Sequence, residues 1–128
     1  MPGDFEEWLK QADYDLDTAD FMFKGKRYIY AVFMCHLSIE KALKGIYQKR
    51  LNKIPPRTHN LIYLAKKANI DAPEGMGRFV VKLNQASIVT RYPEDLTLLQ
   101  SEYTQLVVEE ILSKTKEVLT WIKTLLQK

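Results

Sequence analysis

The chain has 128 residues, 46% of them hydrophobic and 27% charged, which suits one soluble domain with a substantial core. Its single cysteine, Cys35, excludes an intrachain disulfide and fits a reducing, cytoplasmic setting. The start, Met-Pro-Gly-Asp-Phe-Glu-Glu, lacks the pattern of a signal peptide, and the longest apolar run, Tyr28 to Cys35, is only eight residues, too short to span a bilayer.

The net charge of +3 is unevenly distributed. Residues 1–23 sum to −6, residues 24–67 to +10 with Glu40 as their only acid, and the remainder to −1. A basic block of this size suits nucleic acid, a nucleotide or an acidic partner; it equally suits neutralisation of the acidic first helix within the fold.

Glycine and proline punctuate the chain at Gly25, Pro55-Pro56, Pro73 with Gly75 and Gly77, and Pro93. Asp4 can cap a first helix whose apolar stripe runs Trp8, Ala12, Leu16, Ala19 and Phe23. A second helix over residues 27–52 carries Tyr28, Ala31, Val32, Cys35, Ile39, Ala42, Leu43 and Ile46. Thr58 is placed to cap a short third helix with Leu61, Leu64, Ala65 and Ala68 inward. A fourth helix starts near Pro73 and buries Met76, Phe79, Val80, Leu83 and Ala86. Gly75-Met76-Gly77 belongs to that helix start and not to a dinucleotide loop, since Val80 occupies the third glycine position. Ser87-Ile88-Val89-Thr90 is locally β-prone. After Pro93 one long last helix is expected, with Val107, Ile111, Val118, Ile122 and Leu125 on one stripe and Val108, Leu112, Leu119 and Leu126 on another. So wide an apolar arc suggests a dimer, unless the first helix covers the second stripe. The pattern predicts a single all-α domain over residues 1–128, a bundle of about five helices.

The stretch "CHLSIEKALK", residues 35–44, holds the densest chemistry. At about 100° per residue, Cys35, Ile39, Ala42 and Leu43 face the core, while His36, Glu40 and Lys44 form a polar edge beside it. Glu40 and Lys44 have the favourable order for a helical ion pair, and a His36–Glu40 hydrogen bond would favour charged imidazole. Such an edge is either a ligand surface or ordinary ion pairing. Cys35, on the apolar arc, reads as a small buried hydrophobe rather than a nucleophile. His59 can secure its loop to the second helix or contact a ligand. Arg91 and Tyr92 can grip phosphate and base, or pair with an acid such as Glu40 and pack on the bundle. Tyr28, Tyr30 and Tyr47 suit core and rim, with base stacking as the alternative. The two histidines and one cysteine have no zinc-ligand spacing, and no metal or other cofactor is expected.

Several of these pieces occur together in an informative order. Trp8, Ala12, Asp15-Leu16 and Ala19 are followed by Tyr28, Ala31 and Phe33, then by "CHLSIEKALKGIYQKR", "PPRTHNLIYL" and "TRYP". The chain thereby resembles, over nearly its whole length, the HEPN domain family, compact helical domains often encoded beside minimal nucleotidyltransferases. The resemblance implies an up-and-down bundle that commonly dimerises and works on nucleotides or RNA with such a nucleotidyltransferase partner. Many members are metal-independent ribonucleases, acting as toxins or in defence. Those members carry Arg, four to six arbitrary residues, then His: the arginine stabilises the phosphorane and the histidine transfers a proton. This sequence departs from that pattern. His36 lies nine residues after Arg27, His59 lies nine after Arg50 and two after Arg57, and no histidine follows Arg78 or Arg91.

The expected role is therefore a nucleotide- or RNA-binding component, catalytically silent alone, with His36, Glu40, Lys44, Arg57, His59, Arg91 and Tyr92 as candidate ligand-binding residues and no catalytic residue assigned. The competing readings are an endoribonuclease whose divergent site uses His36 or His59 across a dimer, and a structural dimer whose basic block holds an acidic protein.

Overall fold

The computed structural model describes residues 4–126; residues 1–3 and 127–128, including the first three of the acidic start, lie outside the described part. Its helices are α1 (Phe5–Lys24), α2 (Tyr28–Leu51), α3 (Leu61–Lys67), α4 (Glu74–Arg91), α5 (Leu96–Glu102) and α6 (Gln105–Leu126). No strand occurs among the described residues. Asp4 caps α1 as its sequence position predicts, its Oδ1 accepting from the Glu7 amide at 2.9 Å.

Helix α2 is the axis of the bundle and packs against each of the other five helices. Its buried residues, from Ala31 to Gln48, surround most of its circumference, as expected of a helix with neighbours on nearly every side. Helices α1 and α2 form a tight hairpin. Gly45 lets the backbones approach: a Cβ there would lie 3.3 Å from both the Phe5 carbonyl oxygen and Trp8 Cβ. Ser38 Oγ donates to the Ala12 carbonyl at 2.8 Å, and Trp8 Nε1 donates to Gln48 Oε1 at 2.9 Å, satisfying polar groups along this contact. Lys41 pairs with Asp15 at 2.9 Å, so one member of the basic block does neutralise the acidic first helix.

Two expectations need correction. The single last helix is two helices, making six among the described residues. Asp95 Oδ1 caps α5 by accepting from the Leu98 amide at 3.0 Å, while Thr104 Oγ1 accepts from the Val107 amide at 3.4 Å at the start of α6. Between them stands Tyr103, half-buried and packed against the core, and the break contains neither glycine nor proline. The α3 cap lies two residues later than expected. Asn60 Oδ1 accepts from the Tyr63 amide at 3.1 Å, and Thr58 Oγ1 instead accepts from the Asn60 amide at 3.1 Å. Asn84 of α4 decides this start, because its Oδ1 accepts from the Leu61 amide at 2.8 Å. In keeping with the all-α reading, the locally β-prone Ser87–Thr90 continues α4, with Ser87 Oγ donating to Asn84 O and Thr90 Oγ1 to Ala86 O.

Both stripes of the last helix are largely covered within the chain. Val108, Leu112, Val118, Leu119, Ile122 and Leu126 are buried, Ile111 and Leu125 are half-buried, and Val107 remains 42% exposed. The width of that arc therefore reflects packing against α2, α1 and α4. No described helix is long and apolar enough to cross a membrane.

Candidate functional site

The polar residues of α2 do not lie on an exposed edge. His36 is fully buried, and Glu40 and Lys44 are almost so. Glu40 is the hub. Its Oε2 accepts from Lys44 Nζ at 2.9 Å, and its Oε1 accepts from His59 Nδ1 at 2.9 Å. The Lys44 ammonium also lies 5.7 Å from the centre of the Trp8 ring, so a carboxylate and an aromatic face replace its water. A buried carboxylate bound by two donors is a satisfied group.

His36 adopts a different state from that expected. Its Nε2 donates to the His59 carbonyl at 2.9 Å, while its Nδ1 lies 3.9 Å from Glu40 Oε1, beyond hydrogen-bond reach. Burial pushes its pKa down from 6.5 to about 4, against the pull of the Glu40 carboxylate and the hydrogen bond to His59; the Arg91 and His59 charges add to the lowering. The imidazole is neutral near pH 7, not charged. Together His36 and Glu40 hold the backbone and the side chain of His59, so the loop leading to α3 is latched onto α2. His59 thus secures its loop, while 59% of its side chain stays exposed with Nε2 free.

Arg91, at the end of α4, is half-buried and does not pair with Glu40. Its guanidinium lies over the Phe33 ring, 4.9 Å from the centroid, and its Nη2 is buried without a partner. Sequence spacing does not single out Phe33 as a site residue, although its place three residues before His36 on α2 is the available signal. Tyr92 follows as the last turn opens and is 72% exposed. Arg57 is exposed and forms no ion pair among the described residues. The candidate residues thus divide into an inner set, His36, Glu40 and Lys44, and an outer set, Arg57, His59, Arg91 and Tyr92.

Cys35 is inert in this fold. It is fully buried, and burial pushes its thiol up to about 11, far from a reactive thiolate.

The arrangement, an acid-centred latch on the central helix and an arginine near the end of the fourth, sits in a chain that matches the HEPN domain family over residues 5–125. The chain belongs to the HEPN domain family. It is similar in structure to TT1696 from Thermus thermophilus, with 27% identity, a TM-score of 0.81, and coverage of 94% of this chain and 96% of that one. It is also similar to ST0689, described as an archaeal HEPN homologue, with 26% identity, a TM-score of 0.76, and coverage of 95% and 97%. No curated protein matches the chain significantly.

Proposed function

We propose that this HEPN domain is a nucleotide- or RNA-binding component that acts with a minimal nucleotidyltransferase partner and does not cleave RNA alone. The observation carrying the binding reading is Arg91: a half-buried guanidinium braced on Phe33 at 4.9 Å, one of whose nitrogens is buried without a partner, followed in the chain by the exposed Tyr92. An arginine held on an aromatic face is ordered before a ligand arrives and can present its donor fork to phosphate, while the adjacent tyrosine offers a stacking face. Arg57 and the free Nε2 of His59 extend the same polar surface. Lys44 and Glu40 support it from below by holding His59. The missing arginine–histidine spacing and the buried, neutral His36 favour binding over cleavage.

The nucleotidyltransferase partner is inferred from the family resemblance, as is self-association. Exposed apolar residues Ile88, Val89, Leu106 and Val107 on α4 and α6 offer a surface for a second copy. Calorimetry with nucleotides and short RNA tests the reading. Binding that weakens with salt and is lost in Arg91→Ala is expected; no binding by wild type, together with a sharply lowered melting temperature in Arg91→Ala, assigns Arg91 to the fold instead.

One observation favours an endoribonuclease reading. Glu40 holds His59 Nδ1 on a side chain that is 59% exposed and whose Nε2 has no hydrogen-bond partner among the described residues, an arrangement suited to proton transfer. Specific RNA cleavage by metal-free protein that disappears in His59→Ala would promote it over the binding role.

A further inference from the structure

Beyond the candidate residues, the molecule has a pocket of about 370 Å³ at the head of α2, lined in part by Lys26, Arg27, Tyr30, Gln100 and Tyr103. Its lining contains no acid, and the first turn of α2 has none. Lys26 and Arg27 form no ion pair among the described residues, although the turn holding them is fixed by amide bonds to Phe23 and Met22 at 3.0 and 2.8 Å. Tyr30 is 60% exposed and Tyr103 is half-buried. Two unneutralised cations thus share a concave surface with three tyrosines, Tyr28, Tyr30 and Tyr103.

The position of this pocket relative to the Arg91 site follows from helix geometry. Tyr30, Phe33 and Glu40 lie within an arc of about 80° on α2, with Glu40 about 15 Å beyond Tyr30 along the axis. Arg91 lies over Phe33, and His59 is held on Glu40. The order along α2 is therefore pocket cations and tyrosine, then the Arg91 guanidinium, then imidazole. Single-strand grooves of this kind take upward of about four nucleotides. A mononucleotide covers only part of this path, and on the binding reading above that part is the Arg91 guanidinium.

We propose, resting on the nucleotide- or RNA-binding reading above, that the ligand is a single-stranded oligonucleotide of about four residues, lying along α2 from the Lys26–Arg27–Tyr30 pocket past Arg91 to His59. Cations alternating with aromatic faces recognise a strand through its phosphates and base faces, with little demand on sequence. An acidic protein surface would engage the cations but leave the tyrosine faces without a matching ring.

The test is calorimetry of the full chain at low salt with adenosine 5′-monophosphate and with tetra-adenylate as RNA and as DNA. The expected result is tetranucleotide binding at least about tenfold tighter than the mononucleotide. Arg27→Ala and Tyr30→Ala should each weaken the tetranucleotide about tenfold and leave the mononucleotide unchanged, while Tyr30→Phe retains the affinity. Arg91→Ala should weaken both ligands. Equal affinity for RNA and DNA assigns the contacts to phosphates and base faces, and RNA preference adds the 2′-hydroxyl; both support a strand site. Tetranucleotide binding no tighter than the mononucleotide, or unaffected by Arg27→Ala and Tyr30→Ala, overturns the strand proposal while leaving the Arg91 binding reading standing. Failure of wild type to bind any of the ligands overturns both.

Discussion

The inner and outer polar residues around α2 obey opposite rules. Inside, Glu40 and Lys44 neutralise one another at 2.9 Å, and a neutral His36 donates to a backbone carbonyl. Outside, Arg91, Arg57, Lys26 and Arg27 carry charge without a carboxylate partner among the described residues. The first set is paired because unpaired charge inside a bundle is costly; the second is tolerated because water or an aromatic face solvates it. Residues spaced as neighbours on a helix therefore serve stability in one place and remain available to a ligand in another.

Breaking the inner set should have the largest effect. Glu40→Ala strands Lys44 in the interior and releases His59, so a loss of about 3–5 kcal/mol in urea denaturation is expected. Replacing Lys44 by Met in the same chain should recover part of it, because no buried charge is then left alone.

Acid should expose the inner set next. His36 is held near pKa 4 in the fold and titrates near 6.5 when unfolded, so below pH 6.5 the unfolded chain binds the extra proton. Its stability contribution is intact above that pH and falls as pH drops toward 4, by about 3 kcal/mol in total. His36→Gln should flatten this part of the stability–pH curve, measured by chemical denaturation between pH 7 and 4.

The outer set should show the reverse balance of binding and stability. Arg91→Ala is expected to weaken anionic ligands by about 1–3 kcal/mol. Its salt dependence should also become shallower, by about one counterion. Its melting temperature should change little, since the guanidinium pairs with no acid. A melting loss as large as that of Glu40→Ala would erase the distinction between the two sets.

The smallest expected changes concern wild-type behaviour. Light scattering should show a dimer at tens of micromolar, roughly the range of ordinary dimer affinities. A monomer there removes the role proposed for Ile88, Val89, Leu106 and Val107. Incubation with structured or single-stranded RNA should leave the RNA intact.

Much of the bundle was legible because helix periodicity and caps are local properties. The Asp4 cap, the inward residues of α2 and the start of α4 at Pro73 follow from spacing alone. The α5–α6 break was not legible because no glycine or proline marks it, although the Asp95 and Thr104 caps stand in the sequence. The site was legible in membership and order: Glu40 four residues before Lys44 predicts their ion pair, and "THNL" marks the loop that bears His59.

Depth was not legible, because periodicity assigns an angle on a helix and says nothing about what covers that angle. Trp8 of α1 covers Lys44, and the α3 loop covers His36, changing an expected charged edge into an interior latch. Likewise, sequence spacing placed Arg91 before Pro93 but could not place Phe33 beneath it, since the two meet only when the end of α4 packs on α2. The sequence by itself determined an all-helical chain and the chemical types available to it. Tertiary structure decided which charges were withdrawn from water and which remained able to meet a ligand, because desolvation depends on neighbours that are distant along the chain.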